Sequence, residues 1–587
     1  MILQTLAEYY DRKSAADNSL APPGFEAKEI PFVLEINADG QLIQIEDTRE
    51  IVGKKKRARS VLVPQGVKKT SGVSANLLWD NAEYVLGVDT KGKPERVVEQ
   101  HAAFRKRIDA LPSPAKGDAG IEAIKKFYGA LNLEALAEFP AWQEINESNP
   151  NLTFKLQGER NLICQRPEVI ATIRALDSGE GDKGRCLVSG EEDEVERLHT
   201  SIKGVWGAQS SGANIVSFNL DAFNSFGKAQ GINAPVGKGA VFAYTTALNH
   251  LLGKDSTQRM QVGDTSTVFW AEKESDLETG VVNCFGEPPK DDPVRNTRAV
   301  AQLFKSVHNG RYSGEDKDTR FYVLGLAPNA ARIAVRFWHV GTVGEMAERI
   351  VRHFEDLKVV HGPKEPDFLP LFRLLVSTAS LGKADNIPPN LAGSAMRAIL
   401  EGLPYPQTLL GAAIRRIKAE QAKRDPNTNK LVPNVTYPRV ALIKACINRS
   451  MRKSKSNNKE DIKVSLDTEN INEGYLLGRL FAVLEQTQKE ALGRDINSTI
   501  RDRYYGAASS TPVTVFSTLL KLSKHHLSKI ENKGRSCNLE KLMGSILDGI
   551  PANGFSPNLS IQDQGRFAIG YYHQKQHPST YKGDNNE

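Results

Sequence analysis

Residues 321–343 read FYVLGLAPNAARIAVRFWHVGTV. Two strands are expected here, Phe321–Leu326 and Arg332–Val340. In the second, a two-residue period puts Ile333, Val335 and Phe337 on one face and Arg332, Arg336 and Trp338 on the other. The first face is expected to join a core. The second mixes guanidinium with indole, which suits a salt-bridged strand with a half-buried tryptophan better than a platform for bases. Past Gly344 the alternation disappears and helix spacing dominates to the end. The stretch therefore marks a switch, and the expected class is α+β: a mixed α/β N-terminal region followed by an all-helical C-terminal bundle.

Upstream, Phe32–Ile36 and Leu42–Ile45 flank Asp39-Gly40, a pair that readily supplies the positive φ angles of a tight hairpin turn. A basic run follows, then the small polar residues from Thr70 to Asn76 lead into a short ordered element. Residues 95–180 are expected to be helical, with Ile121–Leu131 the clearest case. Residues 186–270 are rich in Gly, Ser and Asn, and Gly207–Asn214 is their most polar loop. Downstream, Tyr475–Leu492 is amphipathic. Thr511-Pro512 has the form of a helix start, ahead of an apolar face made by Phe516, Leu519, Leu520, Leu527 and Ile530. The expected organisation is a mixed domain over 1–345, a basic helical bridge over 346–463 and a helical bundle over 464–587.

Composition narrows the class. Of 587 residues, 40% are hydrophobic and 25% charged, which fits ordinary globular protein and excludes wholesale disorder. No apolar run approaches the roughly 18 residues of a membrane span. The opening residues meet Glu8, Asp11 and Arg12 too early for a signal peptide, so a cytoplasmic location is expected. The five cysteines are far apart and form neither a disulfide framework nor a metal knuckle.

Charge is unevenly placed. The chain carries +7 overall, yet Lys54–Lys69 alone holds seven basic residues and no acid. Residues 411–463 carry 14 basic residues against 4 acidic ones. Two basic segments in a nearly neutral chain point to a polyanion partner.

Chemistry-bearing motifs are missing. Gly231–Gly239 resembles a phosphate loop but has five residues before Gly237-Lys238 where four are required, and Gly239 where a hydroxyl should reach magnesium. His525-His526 are neighbours and point about 100° apart on a helix, so they do not share a metal. Asp264 reads as a turn-capping residue. No G-x-S-x-G elbow or H-E-x-x-H pair occurs, so the sequence offers no positive evidence for catalysis, a triad assembled in space apart, and no metal site or cofactor is expected.

Several blocks resemble one family. They are the opening Met1–Gln4 with Tyr9-Tyr10 and Pro22–Phe25, then Leu77–Gly87, Cys186–Gly190, Ile202–Phe218 and Asn233–Leu252. Phe321–Val343, Gly474–Leu492, Arg501–Ser510 and Asp563–His573 complete the set. In this order they are similar to the large subunit of the type I-C CRISPR effector complex, Cascade. The resemblance implies a subunit of an RNA-guided antiviral ribonucleoprotein. Its partners would be the guide RNA, the backbone, foot and small subunits, double-stranded target DNA with its displaced strand, and a helicase-nuclease. The implied work is recognition of the protospacer-adjacent motif, duplex opening, stabilisation of the R-loop and recruitment of the nuclease. The resemblance also implies a separately translated small subunit, beginning near Met451 or Val464.

Guide pairing would supply sequence specificity, leaving the protein backbone contacts and a short local reading. A groove-facing loop needs small residues with amides or hydroxyls. The candidates are Lys68, Lys69, Thr70 and Ser71 with Asn76 and Asn81, and Gln209, Ser210 and Ser211 with Asn214. Backbone candidates are Lys54, Lys55, Lys56, Arg57 and Arg59, then Arg415, Arg416, Lys418, Lys423 and Arg424. Arg449, Arg452, Lys453 and Lys455 extend that group. Arg501, Arg503, Tyr504 and Tyr505 offer charge and rings for stacking bases, but suit a structural knot between helices slightly better. Two alternatives stand beside this reading: a scaffold that only holds guide RNA, and a metal-dependent nuclease.

Overall fold

Phe32–Ile36 runs antiparallel to Leu42–Asp47, as the Asp39-Gly40 turn requires. The turn is one step longer than a two-residue hairpin. The Gly40 amide donates to the Asn37 carbonyl, and only Gly40 takes a positive φ, +81°. A side chain could not replace that hydrogen: a Cβ on Gly40 would stand 2.4 Å from the Phe127 nitrogen. The computed structural model describes residues 1–17, 20–52, 55–67, 72–176, 182–288, 292, 294–310, 317–454, 461–493, 498–552 and 554–577. They divide into Met1–Thr200 with Val216–His250, and Ser201–Ile215 with Leu251–Glu587.

In the first unit the hairpin is one half of a four-stranded sheet. Phe32–Ile36 pairs in parallel with Asn151–Leu156, which pairs antiparallel with Trp79–Asn81. The strand Asn151–Leu156 interrupts the region expected to be all helical. Helices Pro94–Asp109, Ala119–Gly129 and Pro167–Leu176 do form there. Phe104, Phe127, Tyr128 and Phe154 fill the core by edge-to-face ring contacts.

The second unit opens on an antiparallel sheet ordered Arg259–Val262, Thr265–Ala271, Arg320–Asn329, Arg332–Thr342. The expected face of Ile333, Val335 and Phe337 does not exist. Leu326 pairs with Val335 while Gly325 pairs with Phe337, so Arg336 is an extra residue in a β-bulge and the alternation reverses there. Phe337 turns toward Gly325 and toward Gly393 of the helix Pro389–Leu400. Val335 is left 43% exposed. Trp338 lies on the opposite side from Phe337, stacked on Tyr322 at 5.6 Å and 5° and close to Trp270.

Helices follow. Thr342 caps Val343–Leu357 by accepting from the Glu345 amide, and that helix lays Met346, Ala347, Ile350 and Phe354 on the sheet's core side. The remaining helices include Gln407–Ala419, Tyr437–Lys453, Glu473–Leu492, Phe516–Lys529 and Ile561–Gln576. Among the described residues, strands thus fall within the first 342 and the elements after them are helices. Glu473–Leu492 and Ile561–Gln576 meet along a glycine seam. A Cβ on Gly474 would stand 2.4 Å from the Asp563 oxygen. On Gly478 it would stand 2.1 Å from the Phe567 oxygen, and on Gly570 2.1 Å from the Tyr475 oxygen. Tyr505 and Arg501 are buried, and the Tyr505 ring packs on Phe481, Phe567 and Tyr571, the structural knot expected of that motif. No helix is long and apolar enough to cross a membrane among the described residues.

Candidate nucleic-acid interface

Short strands Glu50–Val52 and Lys55–Arg57 pair as a ribbon in the first unit. Lys56 is exposed on it, opposite Ile51. Arg57 reaches Glu29 at 3.3 Å, and Arg59 reaches Glu46 at 3.6 Å. These are solvent-facing pairs of small worth, which a phosphate could displace. Lys54 and the whole Lys68–Ser71 group lie outside the described residues, as does the side chain of Lys55.

The residues on either side of that group are tied together. The Asn76 Oδ1 accepts from the Val67 amide at 3.0 Å, and the Asn76 amide donates to Asp80 at 2.8 Å. The Trp79 indole donates to the Pro64 carbonyl at 2.7 Å, and the Gly66 amide to Glu26 at 3.0 Å. Asn76 is only 5% exposed, and its side chain is spent on the Val67 backbone. Asn81 caps the turn Ala82–Val85 by accepting from the Tyr84 amide. Both amides, expected as base contacts, do local structural work in this conformation.

The second loop is built differently. Ile202 and Ala213 exchange two backbone hydrogen bonds, 2.8 and 2.9 Å, closing residues 203–212 into a loop. Gly204, Gly207 and Gly212 take φ of +86°, +77° and +95°. Gly204 is irreplaceable by sterics, since a Cβ there would stand 2.5 Å from the Leu252 oxygen. The Trp206 amide donates to the Ser266 hydroxyl at 3.0 Å, and the Asn214 backbone pairs with the start of Arg332–Thr342. Pinned at both ends, the loop carries Gln209, Ser210 and Ser211 exposed and brings them together with Asn214 at its root. Trp206, 56% exposed beside them, escaped the sequence reading; an indole set between two glycines was the available signal.

The basic bridge turns largely inward. Arg415 is exposed on Gln407–Ala419. Arg416 and Lys423 approach Glu420 at 3.6 and 3.4 Å, and Arg439 pairs with the same carboxylate at 2.6 Å. Lys418 donates to Gln564 at 2.8 Å, and burial holds its ammonium below the usual lysine range. Arg424 donates to the Asn429 carbonyl at 3.0 Å. Arg449 and Arg452 both converge on buried Asp356. Charge read along the chain as a phosphate-facing segment is in good part internal neutralisation.

The glycine-rich segment before Lys238–Leu251 is already occupied by the chain itself. Asp193 accepts from the Gly239 amide at 3.3 Å, and Lys238 pairs with Glu194 at 2.6 Å. A carboxylate stands where a phosphate would have to go, in agreement with the rejected nucleotide motif. No group of three or more His, Cys, Asp or Glu is placed to hold a metal among the described residues.

A family model described as CRISPR-associated protein (Cas_Csd1) matches residues 6–578. Comparison with curated proteins finds no match.

Proposed function

The chain belongs to the Cas_Csd1 family, the large subunit of type I-C Cascade, and on that premise we propose that it reads the protospacer-adjacent motif for the guide-loaded complex. On this reading it opens the target duplex, holds the displaced strand and offers a surface to the helicase-nuclease, without catalysis of its own and in the cytoplasm. The family match along nearly the whole chain carries the proposal. The pinned loop with Gln209, Ser210 and Ser211 exposed supports it as the motif contact. A preformed loop loses little entropy on docking, and its amide and hydroxyls suit base edges. Lys68–Ser71, with Asn76 and Asn81, remain a separate proposed contact in the first unit. Lys56, Arg59 and Arg415 are the backbone contacts of choice. Among the described residues of that set they are exposed or only loosely paired.

The division into a motif-inspecting domain to about 345, a basic bridge to 463 and a small-subunit-like bundle from 464 is part of the same proposal. A start near Val464 fits better than one at Met451, which would cut the last turn from Tyr437–Lys453. A scaffold that only holds guide RNA is the second reading, favoured by the inward turn of the bridge cations.

Salt-titrated binding decides between them. Guide-loaded complexes with and without this chain are offered duplexes carrying cognate or scrambled motifs. Discrimination that appears only with the chain supports motif reading. Equal gains on both duplexes support the scaffold.

A further inference from the structure

Phe226 is 97% exposed, the most exposed of the large hydrophobic side chains described. Its backbone makes the exposure more telling. The Lys228 amide donates to the Ser225 carbonyl at 3.0 Å, so Phe226 and Gly227 are the two central residues of a tight turn. Both have positive φ, +52° and +70°. That turn geometry selects Gly, Asn or Asp at its first central position, because the Cβ crowds a carbonyl oxygen there; Gly has none, and Asn and Asp offset the cost with a local hydrogen bond that Phe cannot make. A phenylalanine held in the left-handed region is strained, and such strain persists where the surroundings over-determine it.

The surroundings do so. The Ser225 amide donates to the Asn233 Oδ1 at 3.0 Å. The Asn233 Nδ2 lies within donating distance of Asn224 Oδ1 and of the Lys228 and Gln230 carbonyls, 3.2, 3.3 and 3.0 Å. Gln230 is itself left-handed at +51°. The loop is anchored at Gly231, whose amide donates to the Arg197 carbonyl and where a Cβ would stand 2.2 Å from the Glu196 oxygen. One asparagine thus braces a turn that carries a solvent-facing benzyl ring.

Resting on the function proposed above, we propose that Phe226 is a stacking finger for one unpaired nucleobase of the opened target. Every base offers a π-face, so a lone ring binds single-stranded nucleic acid without demanding a sequence. The residues on either side of the ring are Asn224, Ser225, Gly227 and Lys228, with hydroxyl and amide groups and a cation suited to sugar and phosphate. A protein-docking anchor would instead sit within a cluster of apolar neighbours that exclude water. The nearest in sequence, Leu220 and Phe223, lie at the start of the loop and not at its tip.

The test uses the whole guide-loaded complex with Phe226→Asn and Phe226→Trp. Asparagine suits the turn, so the first variant removes the ring while keeping the loop and raising the chain's thermal stability. Tryptophan keeps a stacking face. Targets carry a single 2-aminopurine at successive positions, in one series beside the motif and in the other along the displaced strand. The expected result is a fluorescence quench at one position with the native chain and Phe226→Trp, lost in Phe226→Asn, with roughly 5- to 100-fold weaker holding of the open target. The series in which the quench falls identifies the base. An unchanged fluorescence profile in Phe226→Asn overturns the finger, as does loss of another subunit from the complex with the profile intact. A native complex that binds target without any 2-aminopurine signal shows that no duplex is opened, and then the function falls and the finger with it.

Discussion

Asp356 and Arg449 form an ion pair at 2.7 Å with their side chains 4% and 6% exposed. Arg449 also donates to the Ala398 and Leu403 carbonyls at 3.1 Å each, so one guanidinium ties three separate segments. Removing one partner of such a pair leaves an uncompensated buried charge. Asp356→Asn should cost about 3–5 kcal/mol of stability, read as a lower urea midpoint. Arg449→Met should cost less, because Arg452 still pairs with the carboxylate while the Ala398 and Leu403 carbonyls lose their donor. A midpoint within error of the native chain in both variants would contradict this account.

Acid should weaken the helical part in two steps. Burial pushes Glu485 up, but Lys575, Lys489 and the Tyr571 hydroxyl outweigh it and bring its carboxyl down to about 2, from an ordinary 4.5. Its contribution is present above pH 4.5 and is lost as pH falls from there toward 2. Burial lowers His573 from 6.5 to about 4, with Lys444 adding to the effect. Between those values the unfolded chain takes up a proton that the folded one refuses, so stability falls from pH 6.5 to 4. Denaturation midpoints at pH 7, 5.5 and 4 should decline in the native chain and decline less in His573→Gln.

The Gln209–Ser211 loop should control discrimination more than affinity. Alanine at both Gln209 and Ser211 should narrow the cognate-to-scrambled ratio by about 5- to 100-fold, the range of one or two base-edge contacts. Binding to the scrambled duplex should change little. A parallel loss on both duplexes would assign the loop to the backbone.

Arg415 and Lys56 should act through salt. Each phosphate neutralised on duplex DNA adds about −0.9 to the slope of log affinity against log salt, or about −0.7 on a single strand. Arg415→Gln and Lys56→Gln should each flatten the slope by about that amount, equally for cognate and scrambled motifs. A slope that stays put removes that residue from the interface.

Gly478→Ala should drive the helices Glu473–Leu492 and Ile561–Gln576 apart, because the added methyl meets the backbone of Phe567 and Tyr571, which cannot rotate out of the way. The expected loss is about 3 kcal/mol, at the upper end for overpacking. Differential scanning calorimetry of the chain would register it, and an unchanged transition would show that the seam can yield.

Local signals were legible. Tyr475–Leu492 was marked by its own apolar spacing, and the Phe32–Ile45 hairpin by its turn. Two features have a cause in distant partners. Asn151–Leu156 is a strand because Phe32–Ile36 lies beside it in parallel, a pairing that local periodicity does not encode. The bridge cations add up along the chain, yet Asp356 and Glu420 decide which of them reach solvent. Arg336 illustrates a third limit. One bulged residue reverses which face every later side chain takes, and nothing in RIAVRFWHV announces it. The exposure of the polar Gln209–Ser211 loop was readable from composition. The clamping role of Asn76 was not, since the same amide serves a base or a backbone equally well.

The glycine seam also has a consequence in time. Its first half, Glu473–Leu492, leaves the ribosome well before the second. At about 5–20 residues per second, the stretch from Leu492 to Gln576 takes roughly 4–17 s to make. Throughout that interval the helix has bare glycines and no partner of its own to cover them. Synthesis of this chain therefore includes a waiting period, during which the face later sealed by Ile561–Gln576 is open to anything in the cell that offers a close-fitting helix.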